Sequence, residues 1–370
     1  AMSGETNRLL GLAKELAPST MNEAYGRELD MLAATGEQAS SALLAIALQA
    51  EGVESVSYAG WQVPVRTDSA FTKARITSID DARIRGDLAR RRVVVITGFQ
   101  GIDPDGHVTT LGRGGSDTSA VAICAALKGD ECLIYTDVDG VYTTDPRIVP
   151  EARRLETVTF EEMLEMASLG AVVMQPRAVE FAMLYGVDIE VLSSFSLEPG
   201  TIITEVNNME QHRIVTGIAH DCKCAKIGIF DVPDKPGVAS LIFSALARAG
   251  VNVDMVIQSA MREERNDIAF TICSDDLPLA LPVVEKLVKE IGASGMSHGD
   301  NVAKVSIVGA GMQSNPGVAA AMFEALSAEN INIQMISTSE IKVSCIIDEE
   351  KIENAVKALH RKFELDELNC

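Results

Sequence analysis

Along the first two hundred residues, apolar positions fall into two kinds of run. "SSALLAIALQA", residues 40–50, is apolar nearly all round and rich in Ala and Leu, which predicts a buried helix. "RRVVVITGFQG" (91–101) and "ECLIYTDVDGVY" (131–142) carry short apolar runs that end in glycines or acidic turns, and each predicts a strand. Short, continuously apolar strands separated by helices predict a parallel sheet covered on both faces. Ligands of such sheets sit beyond the carboxyl ends of the strands, which here means Gly98–Gly101 and Thr136–Gly140. "TVTFEEMLEMASLGA" (157–171) predicts a further helix that opens on Thr159, Glu161 and Glu162 and closes on Gly170.

After "EPGTIITE" (198–205) the pattern changes, and from Lys226 the chain repeats itself at an offset of 80 residues. "PGVASLIFSALARAGVNVDMV" from Pro236 falls on "PGVAAAMFEALSAENINIQMI" from Pro316, with Phe243 on Phe323, Asn252 on Asn332 and Met255 on Met335. Each copy reads as a strand ("KIGIF", "KVSIV"), a Pro-Gly loop, an amphipathic helix and a second strand opened by Asn. "LPLALPVVEKLVKEI" and "EKIENAVKALHRKF" supply a later helix to each. Two small α+β modules therefore follow an α/β domain. Neither module holds a cluster of His, Cys or carboxylates suited to chemistry, so regulation or assembly is their expected role. The sequence leaves the strand order of the modules open, one arrangement being the first module inserted into the second with the stretch near "RIVTGIAHD" pairing with the final segment.

Charge narrows the partners. Thirty-two basic residues against 53 acidic ones give −21, and no basic block is present to neutralise a nucleic-acid backbone. An anionic substrate must then be held by local arginines and oriented amides, against the overall field. No uninterrupted apolar run reaches the roughly 18 residues of a membrane span, and a cytoplasmic protein is expected. The seven cysteines predict reduced thiols, and Cys222 and Cys224 with His212 and His220 match no zinc spacing.

Chemistry concentrates in "TLGRGGSDTSAVAIC" (110–124), where Arg113 sits among Gly112, Gly114 and Gly115 ahead of an apolar helical run. Glycines let N–H groups converge on an anion, and a following helix adds its positive end. The stretch is neither G-x-x-x-x-G-K-[ST] nor G-x-G-x-x-G, and a tight turn with a helix cap at Ser116 or Asp117 explains it equally well. Arg113 tips the balance, because a planar guanidinium captures carboxylate or phosphate by two parallel bonds. Asp117 is placed to accept from an ammonium group, so the pair can grip both ends of an α-amino acid. "YTDVDGVYTTDPRIVP" (135–150) adds Asp137, Asp139, Asp145 and Arg147 in one turn-rich stretch.

These segments, with "FEEMLEMASLGA", "AMSGETN" and "LAATGEQASSALLA", resemble the aspartate kinases of the amino-acid kinase superfamily, and the C-terminal pair ending in "ISTSEIKVS" resembles tandem ACT modules. The resemblance covers essentially the whole chain. It implies a three-layer α/β sandwich with a mainly parallel central sheet in residues 1–205. A linker and first regulatory strand (206–225) follow, then two ferredoxin-like modules, 226–300 and 301–370. It further implies phosphoryl transfer from ATP with Mg2+ to the side-chain carboxylate of L-aspartate. By position, Arg113 binds the substrate carboxylate, Thr6, Glu37 and Asp117 help hold the amino acid, and Gly112, Gly114 and Gly115 line the reaction centre. Thr136, Asp137, Tyr142 and Arg147 surround ATP.

Lysine, threonine or both are the implied effectors. Asp234, Gly237 and Gln258 with Asn332 and Ile333 form a threonine-type pocket, and Asp254, Ser339 and Glu340 a lysine-type one. A homodimer or larger assembly through the ACT modules is implied. Two departures bear on activity: the family's K-[FY]-G-G-[ST]-S motif is absent, and Val172 stands where a lysine is usual. A weakly active kinase is therefore expected, with a catalytically impaired, amino-acid-binding regulatory subunit as the alternative.

Overall fold

The computed structural model describes Met2 and residues 4–17, 25–169, 173–205, 214–260 and 264–366. These residues form two compact units, residues 1–141, 156–167 and 172–207 in the first and 142–155, 168–171 and 208–370 in the second. The division differs from a single boundary near residue 205. The chain enters the second unit at Tyr142, returns at Glu156, and only later leaves the first unit for good.

In the first unit, strands Ser55–Tyr58 and Val93–Ile96 pair in parallel, as do Cys132–Thr136 and Ile189–Ser193. Thr201–Thr204 adds antiparallel to the latter pair, and Thr157–Thr159 adds parallel to Thr201–Thr204. A third sheet runs Ile76–Ile79, Val65–Thr67, Gln100–Ile102, Val108–Thr110 and delivers the chain to the glycine-arginine loop. Helix Gly115–Leu127 follows that loop and packs on helix Pro176–Tyr185 through small residues, including the fully buried Ala178 and Ala182. Helix Phe160–Ser168 starts as a capping box: the Thr159 hydroxyl accepts from the Glu162 amide at 3.2 Å while the Glu162 carboxylate accepts from the Thr159 amide at 3.1 Å. Gly170, expected to close this helix, lies outside the described residues.

The "SSALLAIALQA" stretch is helical, as the end of helix Gly26–Ala50, but it is not buried all round. Ser41 and Ala45 face inward while Leu43, Leu44 and Ile46 are exposed among the described residues. This helix is also long and apolar enough to cross a membrane by length and composition, contrary to the reading from uninterrupted runs. It nevertheless carries the buried carboxylates Asp30 and Glu37, and Asp30 is hydrogen-bonded into the unit.

In the second unit the two repeats share one six-stranded sheet, ordered Val253–Gln258, Arg265–Cys273, Gly217–Pro233, Gly295–Val308, Lys342–Asp348, Met335–Thr338. Gly217–Pro233 and Gly295–Val308 are long because each serves both modules. Gly217 to Asp221 pair with Val308 to Lys304 of the second module, whereas Cys224 to Pro233 pair with Cys273 to Arg265 of the first. The first module is thus inserted after the opening strand of the second. The expected boundaries at 225/226 and 300/301 fall inside continuous strands. The second module's later strand begins at Met335, three residues beyond Asn332, whereas the first opens directly after Asn252.

Each module has its own apolar core, built around Ile229, Leu246 and Phe270 in the first and Ile307, Leu326 and Val356 in the second. Met255 and Met335, equivalent in the repeat, meet in a third cluster between them. Two lysines bind the modules across this seam: Lys304 to Asp254 at 2.5 Å and Lys226 to Gln334 at 2.5 Å. Asp254 and Gln334 are repeat equivalents, so each module's edge strand is gripped by the other's lysine. Lys304 is 5% exposed, and its ammonium needs that partner.

Residues 142–155 join the second module's core through Val149 and Ala152. Thr143 lies 3.1 Å by its hydroxyl from Nε2 of the buried His360 on helix Ile352–Lys362. Burial holds His360 below the ordinary histidine value, with Asp366 and Glu151 pulling it back up. A base depressed by folding binds fewer protons folded than unfolded. Its contribution is complete above the unfolded histidine value near 6.5 and is lost as pH falls through that point toward the folded one. Denaturant melts between pH 7.5 and 5.5 are expected to show the second unit losing stability, and His360→Gln to flatten that slope relative to the parent.

Candidate functional site

The glycines of "TLGRGGSD" are set by backbone conformation and by the protein's own close approaches. Gly112 and Gly114 lie in the left-handed region, at φ 81° and 68°. A Cβ on Gly114 would stand 1.7 Å from Cγ of Gln175, and one on Gly115 would stand 2.9 Å from the Phe99 ring. The helix begins at Gly115 with Gly114 as its cap residue, not with a cap at Ser116 or Asp117. Arg113 is thereby presented at the head of a helix, exposed, and with no acceptor for its guanidinium among the described residues.

Two opposite charges, one buried and one half-buried, hold this loop. Asp30, 1% exposed on helix Gly26–Ala50, accepts from the Thr110 amide (2.8 Å), the Thr110 hydroxyl (2.5 Å) and the Thr72 amide (2.9 Å). Arg177, at the start of helix Pro176–Tyr185, donates to the carbonyls of Leu111 (2.8 Å) and Ala74 (2.6 Å). Residues 72–74 and 110–111 are also joined directly, by the Ala74 amide to the Thr110 carbonyl at 2.9 Å. An anion and a cation therefore staple the same two segments immediately before Gly112. Burial pushes the Asp30 carboxyl up against the pull of its donors, and burial together with the neighbouring Arg75 pushes Arg177 down.

The expected substrate residues lie on adjoining elements of the first unit. Asp117 is in the first turn after the loop, half-buried; burial pushes its carboxyl up, partly offset by a hydrogen bond from the backbone of Gln175. Glu37 is buried on the helix that carries Asp30, and that helix packs on strand Val108–Thr110. Thr6 is half-buried in helix Glu5–Leu16, which packs on the same long helix.

The residues expected around ATP divide between the units. Thr136 ends strand Cys132–Thr136, its hydroxyl 3.1 Å from the exposed Asp137 carboxylate, at the carboxyl end of a parallel pair. Tyr142 and Arg147 belong to the second unit. Tyr142 packs against the second module's core, and Arg147 is engaged by Asp145 through Nη2 at 2.7 Å and Nε at 3.0 Å. Asp145 is correspondingly held below the usual carboxylate range. Val172, expected to replace a lysine here, lies outside the described residues.

The expected effector residues lie on both modules. Asp234 accepts from the Asn266 side chain at 3.3 Å, Gly237 caps helix Val238–Arg248 in the left-handed region with open space where a Cβ would be, and Gln258 ends its strand exposed. Asn332 is exposed and Ile333 packs on the second module's core. Ser339 and Glu340 form the exposed turn before Lys342. Asp254 departs from expectation: its carboxylate is engaged by Lys304 rather than free for an incoming ammonium. Cys222 is exposed and Cys224 buried on one strand, and His212 lies outside the described residues. Among the described residues, the grouping of ligating atoms close enough to hold an ion is Asp103, Asp105 and His107 in a hairpin turn, where Asp103 already accepts from the amides of Asp105 and His107.

Asp30, Gln175 and Arg177 were not singled out in the sequence. Arg177 left a trace there, since a cation in a first helical turn opposes the helix dipole and so calls for another partner. Replacing Asp30 with Asn is expected to set an NH2 against buried donors and cost the first unit about 1–3 kcal/mol, measured by urea denaturation.

The sequence profile of the Amino acid kinase family matches residues 2–193, and ACT domain profiles match residues 227–291 and 305–363. An aspartokinase of Pseudomonas aeruginosa is 57% identical over 369 residues, 99% of this chain and 88% of the relative. An aspartokinase of Thermus thermophilus is 48% identical over 368 residues, 99% of this chain and 89% of its own length. Among solved structures, E. coli aspartokinase III in complex with aspartate and ADP superposes with a TM-score of 0.78 at 26% identity, over 98% of this chain and 81% of the other. The same enzyme with lysine and aspartate gives 0.73 at 27% identity, over 97% and 80%. With its clamped glycine-arginine loop, its parallel strand ends and its paired C-terminal modules, this chain belongs to the amino acid kinase family, among the aspartokinases that carry two ACT domains.

Proposed function

We propose that this chain transfers the terminal phosphoryl group of ATP to the side-chain carboxylate of L-aspartate, yielding 4-phospho-L-aspartate and ADP. The observation that carries this reading is Arg113, a guanidinium without a partner among the described residues, held at a helix entrance by two opposite charges that fix the segments before Gly112. Its neighbours in identity and fold support the choice of substrate: the E. coli enzyme binds aspartate and ADP.

In this reading Arg113 takes the α-carboxylate and Asp117 the ammonium, with Thr6 and Glu37 completing the hold. The free side-chain carboxylate attacks the γ-phosphorus as the bond to ADP breaks. Thr136 and Asp137 hold the nucleotide in the first unit, and Tyr142 and Arg147 are the further residues that the family resemblance assigns to it. Taken up as Mg-ATP, the nucleotide would bring a divalent cation that offsets part of the phosphate charge. A loose phosphoryl-transfer transition state asks the protein chiefly for position and charge, which a stapled loop supplies.

The paired modules supply feedback by lysine, threonine or both. Lysine occupies the E. coli relative in its T-state. The Asp234, Gly237, Gln258, Asn332 and Ile333 set suits a threonine-sized zwitterion. For lysine, Ser339 and Glu340 remain available, while Asp254 must first release Lys304. An effector inhibits by preferring the inactive arrangement, and the modules join through a larger assembly.

Two measurements test the reading. Aspartyl hydroxamate formation from ATP, aspartate and hydroxylamine is expected to be slow in the parent chain and to rise about tenfold or more in Val172→Lys, which puts back the lysine usual at that position of the family motif. Arg113→Ala is expected to raise the KM for aspartate about 100-fold, the loss of a bidentate charged contact. An unchanged KM would remove Arg113 from the substrate site, and effector binding without any turnover would leave a regulatory subunit.

A further inference from the structure

Within a chain of net charge −21, the first unit gathers Lys73, Arg75 and Arg177 around one cleft of about 720 Å3. Glu180 is the carboxylate among its lining residues. Lys73 and Arg75 are exposed, and neither head group has an acceptor among the described residues. Arg177 is half-buried and spends one N–H each on the carbonyls of Leu111 and Ala74, which leaves three of its five donors uncommitted. The remaining wall is apolar and includes Ile76 and Phe181.

We propose that this cleft is a binding site, separate from the aspartate and ATP residues, for a small anion that carries its phosphate or carboxylate on an apolar body. Three cations outnumber the nearby carboxylates Glu180 and Asp68, and an anion relieves the repulsion among them. Burial first, and the neighbouring Arg75 second, push Arg177 down, with Asp68 and Glu180 pulling it back up. The volume fits a metabolite-sized guest, and a concave site with one charged end and one apolar wall selects for both parts of it. The site also has a line to the chemistry. Arg177 holds the Leu111 carbonyl, so a guest that draws the guanidinium toward the cleft loosens the staple one residue before Gly112. Occupancy then alters how Arg113 is presented.

The test is calorimetric titration of the full chain with phenyl phosphate, phenylacetate and inorganic phosphate. At least one of the two aromatic anions is expected to bind about tenfold or more tightly than inorganic phosphate, and the stronger of the two identifies the head group. The Lys73→Ala/Arg75→Ala double variant, altered only at exposed side chains, is expected to lose about tenfold or more in that affinity, and Phe181→Ala to erase the advantage over inorganic phosphate. The proposal is overturned if neither aromatic anion exceeds inorganic phosphate, or if the double variant binds as the parent does. Because the readout is binding, it stands or falls apart from the kinase reaction.

Discussion

Everything at the centre of the first unit depends on two opposite charges fixing one pair of backbone segments. Asp30 takes the N–H side of Thr72 and Thr110, while Arg177 takes the carbonyl side of Ala74 and Leu111. Asp30 is too deeply buried to lose these partners without cost, whereas Arg177 is half-buried. The left-handed residues that follow can then be held without side chains of their own, and the space above Gly114 and Gly115 is filled by Gln175 and Phe99. A guanidinium on such a turn arrives already oriented. In a reaction that needs placement more than covalent participation, orientation is most of what a protein can contribute.

The regulatory half obeys a different constraint. Its two repeats carry equivalent residues into a shared seam, where Met255 meets Met335 and a lysine from each side crosses over. The seam is polar and ionic at its edges and apolar at its middle. Residues 142–155 are packed into the same body, so the stretch expected to meet the nucleotide is partly built by the regulatory unit. Five residues, those between Thr136 and Tyr142, connect the strand end at Thr136 to the second unit.

Much of this was legible in the chain. Periodicity placed the strands at 93–96 and 132–136 and the helix after Gly115, and the 80-residue offset exposed the duplicated modules, while their inserted order emerged only from the strand pairing. Arg113 and Asp117 stood out because glycines and charges seldom mix in a turn without cause. What stayed hidden depends on contacts between distant segments. Asp30 reads as one acid in an apolar helix until Thr110, eighty residues later, is brought to it. The capture of Asp254 by Lys304 is likewise a matter of which strands neighbour each other. The exposed Leu43, Leu44 and Ile46 show the limit of composition, since an apolar helix says nothing of which side is covered.

The two long strands of the regulatory sheet carry a further implication for anyone dividing this protein. Gly217–Pro233 and Gly295–Val308 pass from one module to the other without a break. No single cut between the repeats releases an intact half: cleaving near residue 300 strips the second module of its opening strand and leaves the first with a frayed edge. The duplicated halves are two in sequence but one as a foldable piece, and a fragment meant to keep both modules whole must begin before Gly217.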